Sequence, residues 1–242
     1  GTYFGFDEIH LTEDVRVGEY KEWLGQTAPE WVAKVRDTDE VIEKGSPLPP
    51  ELHQTHWIAE QSIAAIGRHN TEQPLFLWTS FVDPHHPFDA PKKFVDLYRG
   101  REIPSPRLQP GEHDLRPEHL REQGERGYWP GGALLHSFSD EKMKHIIRNT
   151  FAMVSFIDEQ IGRILAALES RGMLRETVVI FTSDHGEYLG EHGLIMKGPW
   201  LYDCLTRVPM LFAGPGIPEG QETHGLVENV DLVPTLLELL GE

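Results

Sequence analysis

The sequence is poor in cysteine and in positive charge, and it contains no long apolar run. A single cysteine, Cys204, stands among 242 residues, which excludes an internal disulfide framework and any zinc site built from several thiolates. One cysteine is compatible with cytoplasm or periplasm and leaves the oligomeric state open. Lysine and arginine together number 22 against 39 aspartates and glutamates, a formal net charge of −17. That excess repels a phosphate backbone and argues against a nucleic-acid partner. An anionic substrate would need local positive charge, from a lysine or a metal, set against an unfavourable overall field. No stretch approaches the roughly 20 apolar residues of a membrane span, so no membrane partner is expected. No signal-peptide pattern opens the chain, whose first residue is Gly1.

What is present suits one sizeable α/β domain. Residues 1–50 are aromatic, acidic and broken by Pro and Gly, and read as cover and loop, with Tyr3, Phe4 and Phe6 as strand or packing residues. Residues 51–69 place Trp57, Ile58, Ile63 and Ile66 at helical spacing. After the break at Gln73-Pro74, Leu75–Trp78 reads as a buried strand that delivers Asp83, His85 and His86 at its C-terminal end. Helix, turn and apolar strand make one unit of a mainly parallel sheet. Residues 99–138 are irregular and carry Arg99, Arg101, Arg107, Arg116, Arg121 and Arg126. Such an insertion is either a solvated face or a substrate-side lid. In the second case one of these arginines, or His113 or His136, helps recognise a leaving group. Ser139 to Arg171 reads as the longest helix, capped by Ser139 and stopped at Gly172, with an apolar stripe from Ile146 to Leu168 that includes Val154. Asp158 within it is architecture.

Thr177 to Phe212 carries the chemistry. Val178, Val179, Ile180 and Phe181 read as a fully buried strand, which ends abruptly in Ser183, Asp184, His185, Gly186 and Glu187. A carboxylate and an imidazole, adjacent on a turn that glycine lets fold tightly, suit a divalent cation. The C-terminal edge of a strand is where open α/β sheets bind ligands. Glu187 either orients a ligand or starts a helix. Lys197 follows among apolar residues, and a second strand, Val208 to Ala213, ends in Gly-Pro-Gly. Tyr202 and Asp203 read as helix-start and packing residues, and Cys204 as a small buried hydrophobe.

Three blocks then resemble the sulfatases of the alkaline-phosphatase-like superfamily. They are SDHGE with GEHGL, a lysine and RVPMLFAGPG; FVDPHHPFDAPKKF at 81–94; and NVDLVPTLLELLG at 229–241. They stand in the family's order and cover most of the chain from Leu75 onward. The resemblance implies a three-layer α/β sandwich, of which residues 1–242 form a partial catalytic domain. Within it 51–98 holds the helix-strand unit with the histidine motif, and 139–242 holds the long helix, the metal-motif strand and the last core strand and helix. It implies Asp184 and His185 as metal ligands, with Ca2+ expected and Mn2+ or Mg2+ as alternatives. It implies Lys197 as a contact to a substrate oxyanion, His85 as a substrate contact or proton donor, and His192 as a substrate-side residue. The partner is a small anionic ester.

The departures from the pattern count as well. No two aspartates are adjacent, and no Cys-x-Pro-x-Arg occurs; in the family that cysteine becomes the formylglycine nucleophile. A middle piece of a longer enzyme, inactive alone and with half a metal site, is therefore expected. Histidine at 185, where many sulfatases carry asparagine, resembles the phosphonate monoester hydrolase branch and makes a phosphonate or phosphate ester the alternative substrate. A third alternative is a non-catalytic module that has lost its nucleophile half.

Overall fold

The computed structural model describes residues 5–14, 17–34, 38–118, 121–122 and 139–241. Tyr3 and Phe4 lie outside them. Strands β1 (Thr12–Asp14) and β2 (Val17–Gly18) form a short antiparallel ladder. Helices α1 (Glu19–Thr27), α2 (Pro29–Val32) and α3 (Asp39–Lys44) follow. Tyr20, Leu24 and Leu48 pack with Trp57 and Ile58 of the next helix, so an apolar cluster lies beneath this acidic segment.

Helix α4 (Gln54–Arg68) occupies most of the helix read at 51–69 and buries Trp57, Ile58 and Ile66. Its cap is His53, whose Nδ1 accepts the Thr55 N–H at 3.3 Å, in the place usually taken by a serine or aspartate oxygen. After the short α5 (Lys92–Asp96) comes α6 (Asp140–Ser170), 31 residues long. Ser139 Oγ accepts the Lys142 N–H at 3.2 Å, and Gly172 lies beyond its end at φ +70°, the left-handed turn that glycine adopts without a Cβ clash. Val154, read as part of the buried stripe, is 49% exposed. The face actually buried runs through Met143, Ile146, Ile147, Met153, Phe156, Ile157, Ile164 and Leu168. It is wider than one stripe because α3, α4 and α5 all pack against this helix. Asp158 is exposed.

Leu75–Phe81 joins no ladder among the described residues and alternates half-buried and exposed side chains, as an extended chain does, so the buried strand expected at Leu75–Trp78 needs correction. Leu75, Leu77 and Phe81 pack on Ile66 of α4 and Ile164 and Leu168 of α6, whereas Phe76 and Trp78 are 64% and 71% exposed. An extended chain sends alternate side chains to opposite faces, and only one face here meets a helix layer. Strand β3 (Val179–Thr182) pairs antiparallel with β4 (Met210–Ala213), Val179 opposite Ala213 and Thr182 opposite Met210. Both ladders among the described residues are antiparallel; the parallel neighbours that the expected sheet requires are not among them. With one ladder partner among the described residues, β3 is half-buried at Val179, Ile180 and Thr182 and exposed at Phe181, so the fully buried strand expected here is corrected. Helix α7 (Asp203–Thr206) lies between these strands, and α8 (Leu232–Leu240) ends the chain with no buried residue.

Candidate active site

Strand β3 runs into the turn Ser183–Glu187, which is tied on three sides. Within the turn, Asp184 Oδ1 accepts the His185 N–H at 2.8 Å, and the Ser183 hydroxyl donates to His185 O at 2.8 Å. Towards α7, the Gly186 N–H donates to Leu205 O at 2.7 Å. From ahead of α8, Asn229 Nδ2 donates to Ser183 O at 3.0 Å and lies 3.4 Å from Asp184 O. Asn229 joins the candidate site through these bonds; its only signal in the sequence is that it opens the NVDLVPTL block on which part of the resemblance rests.

His185 is oriented by its own neighbour. Nδ1 lies 2.7 Å from Gly186 O, and a carbonyl can only accept, so the Nδ1 proton is the one engaged. That leaves the Nε2 lone pair facing Lys197 Nζ at 3.1 Å and Asp184 Oδ2 at 3.4 Å. The structure thus brings Asp184, His185 and Lys197 to one point. The tautomer is the one a metal-binding imidazole needs, with its other nitrogen bonded to a carbonyl. Asp184 Oδ2 and His185 Nε2 are close enough to share a cation, and the Lys197 ammonium stands in this structure on the same lone pair. They are two donors only. Among the described residues no group of three or more His, Cys, Asp or Glu side chains converges to hold an ion, while Ca2+ takes about six to eight oxygens.

Glu187 closes the turn by accepting the Leu189 N–H at 3.3 Å. No helix begins there, so the helix-start reading is corrected. Burial pushes its carboxyl above the usual range, against the N–H groups of Leu189 and Met196 and the pull of His185 and Lys197. Tyr202 is the cap residue of α7, and Cys204 packs half-buried beside the cluster of Tyr188, Leu194, Trp200 and Leu205.

His192 is held by the irregular insertion. Its Nδ1 lies 2.5 Å from Glu112 Oε1, its N–H donates to Arg107 O at 2.9 Å, and its carbonyl accepts from Arg116. The ring stacks on Tyr202 at 3.7 Å between centroids. Its backbone is left-handed, at φ +57°. Although burial works the other way, the bonds from His192 and the Gln109 N–H hold the Glu112 carboxyl below the usual range. The segment with most of the arginines therefore docks on the GEHG turn. Arg126, His136 and the side chain of His113 lie outside the described residues.

His85 sits on a separate loop. Its Nδ1 bonds His86 O at 2.7 Å and the two rings stack at 4.0 Å; no hydrogen bond or ion pair joins it to Asp184, His185 or Lys197. Beneath the loop lies a buried cluster. Thr55 Oγ1 donates to Asp83 Oδ2, and His53 lies 3.9 Å from Asp83 and 3.7 Å from Asp89. Burial pushes the Asp83 carboxyl up to about 6, against the pull of His53 and the Thr55 hydroxyl and with the push of Asp89. His53 is drawn both ways. Burial opposes its charge, while Asp89 and Asp83 raise its pKa above the ordinary imidazole value. Tyr20 of α1 faces the same carboxylates, and burial together with their charge raises its pKa.

A folded protein that holds these protons more tightly than the unfolded chain loses stability as pH rises. For Asp83 the window runs from its ordinary 3.8 to about 6, and the loss by pH 7 is about 2–3 kcal/mol. His53 adds a loss of the same sign above its ordinary value of 6.5. Thermal melting across this range is expected to show Tm falling with pH, and Asp83→Asn is expected to flatten the acidic part. An equal slope in the variant would assign the fall to other groups.

Comparison with known proteins bears on the family and the fold. The Sulfatase family model matches residues 10–242. A sulfatase of Formosa agariphila is 32% identical over 231 residues, covering 95% of this chain and 41% of its own. The choline-sulfatase of Rhizobium meliloti is 32% identical over 263 residues, covering 99% of this chain and 48% of its own. Among solved structures, the phosphonate monoester hydrolase of Agrobacterium radiobacter superposes with a TM-score of 0.79 at 24% identity, over 92% of this chain and 47% of that one. That likeness places the chain in the alkaline-phosphatase-like fold. The chain spans about half the length of the relatives it matches. Matched by the family model over almost its whole length, and sharing a third of its residues with curated sulfatases, the chain belongs to the sulfatase family.

Proposed function

We propose that the protein is the metal-motif part of a hydrolase of sulfate monoesters. The observation that carries this reading is the meeting of three groups, with His185 Nε2 at 3.1 Å from Lys197 Nζ and 3.4 Å from Asp184 Oδ2. A point ringed by an ammonium, an imidazole lone pair and a carboxylate, in a chain of net charge −17, is local positive charge where a bound cation is added. Asp184 and His185 are the residues that would hold a divalent cation, Ca2+ first and Mn2+ or Mg2+ as alternatives, with further donors from outside the described residues. When bound it supplies charge neutralisation at the ester oxygens. Lys197 faces the nonbridging oxygens of the ester and stabilises the charge that shifts onto them, a contact worth about 3 kcal/mol on the scale of one oxyanion donor. His85 bonds the substrate or gives a proton to the leaving oxygen, as an imidazole near neutral pH can. Family membership makes formylglycine the expected nucleophile, and no Cys-x-Pro-x-Arg stands in these 242 residues.

A phosphonate or phosphate ester is the second reading, favoured by the Asp184-His185 pair and by the fold likeness to a phosphonate monoester hydrolase. The assay that tests both offers p-nitrophenyl sulfate and a phenylphosphonate ester to the 242-residue chain and to the polypeptide of its relatives' length. The expected outcome is no turnover by the chain alone, with or without added Ca2+ or Mn2+. In the longer polypeptide sulfate-ester turnover is expected, lost on chelation and restored by metal. Turnover by the chain itself that vanishes in Lys197→Ala would place the nucleophile inside these residues and overturn the division of the site.

A further inference from the structure

The loop Asp83–Asp89 carries His85 and His86 between two buried carboxylates. Asp83 is 8% exposed and Asp89 is 2% exposed, and burying two like charges near one another is unfavourable unless something bridges them. Both face the start of α4. At one end of the loop, the Thr55 hydroxyl donates to Asp83 Oδ2. At the other, His53 Nε2 faces Asp89 Oδ1 at 3.7 Å. His53 Nε2 and Asp89 Oδ2 lack a hydrogen-bond partner among the described residues, so these buried polar groups have chiefly each other to satisfy. The ring of His53 is oriented by the Thr55 N–H on Nδ1 and by edge-on packing against Phe156 of α6, 5.4 Å between centroids.

We propose that the first turn of α4 is a clamp for the His85–His86 loop. Thr55 grips Asp83 and His53 grips Asp89, so the two ends of the seven-residue loop are held on one rigid helix. His53 is then a positioning residue. It touches no substrate and acts by fixing where the His85 imidazole stands. The catalytic half of this inference rests on the reading of His85 as a substrate contact or proton donor; the clamp itself rests on geometry alone. A helix is a better support for a reacting side chain than a loop, because a displacement of even 1 Å costs about 100-fold in rate.

The test compares His53→Leu, which fills the volume without a donor, with His53→Gln, which keeps an N–H directed at Asp89. Thr55→Val serves as the milder variant should the first fail to fold. In the full-length enzyme, hydrogen–deuterium exchange of residues 82–90 and the separate kcat and KM for p-nitrophenyl sulfate are measured. The clamp predicts that His53→Leu opens 82–90 to exchange and lowers kcat by about 100-fold with KM little changed. His53→Gln recovers much of both, and Thr55→Val shows the same pattern more weakly. Equal behaviour of the Leu and Gln variants would assign His53 to volume filling and overturn the clamp, as would unchanged exchange in His53→Leu and Thr55→Val. The two readings fail differently. Full activity in His85→Ala with a loosened loop in His53→Leu keeps the clamp and removes His85 from the reaction, whereas loss of activity in His85→Ala with an unmoved loop keeps the site and removes the clamp.

Discussion

On the proposed sulfate-ester reading, alanine at position 197 is expected to lower kcat/KM for p-nitrophenyl sulfate, in a polypeptide of the relatives' length, by about 10²- to 10³-fold, the effect of removing one oxyanion donor, with Tm unchanged. Among the described residues the Lys197 ammonium has one hydrogen bond, to His185 Nε2 at 3.1 Å, and a half-exposed bond of this kind adds little to stability. Its removal therefore separates chemistry from folding. Arginine should restore only part of the rate, because its planar fork does not reproduce a compact ammonium at the same point. The split between constants is informative. A fall in kcat with KM unchanged places the contact in the transition state, whereas a rise in KM alone reduces Lys197 to holding the ground state. A loss smaller than about threefold, far below the scale of an oxyanion donor, would remove Lys197 from the reaction.

Gly186→Ala is expected to cost about 3 kcal/mol, the upper end for forced overpacking, and so to lower Tm by about 6–12 °C in a chain of this size. A Cβ at residue 186 would stand 2.0 Å from Cys204 O, 3.0 Å from Cys204 C and 3.2 Å from Leu205 Cα. All three are backbone atoms, so no flexible side chain can swing aside. Relief requires α7 to move away, and that breaks the 2.7 Å bond from the Gly186 N–H to Leu205 O. The thiol of Cys204 reports the movement independently. It is half-buried, and burial raises its pKa, so its reaction with a disulfide reagent should quicken in the variant. Unchanged Tm and an unchanged thiol rate together would mean that the turn and α7 are not tied as described.

Sequence and structure differ most where partners are distant along the chain. The 3.6-residue period of Trp57, Ile58 and Ile66 announces α4, and the Ser139 cap with Gly172 beyond the end announces α6, because both signals are local. The abrupt change from Ile180-Phe181 to Ser183-Asp184-His185 likewise marks a strand running into a polar turn. By contrast, the exposure of Phe76 and Trp78 depends on which layers cover each face of an extended chain, and apolar character alone does not state that. Val154 shows the same limit on a helix: the buried face is chosen by α3, α4 and α5, not by the stripe itself.

The sequence by itself determined the family, the helices α4 and α6, the strand β3 and the residue types of the candidate site: a carboxylate, an imidazole and an ammonium at or after a strand end, so that Asp184, His185 and Lys197 stand out before any fold is known. Only the tertiary structure decided what each of them touches. It put Lys197 on His185 Nε2, drew Asn229 onto the turn from 46 residues away, tied His192 to Glu112 across 80, and set His53 and Thr55 beneath the His85 loop. The reason is physical. Periodicity and turn chemistry act within a few residues and can be read from the chain, whereas ion pairs and buried hydrogen bonds depend on contacts between distant segments that form only when the elements pack.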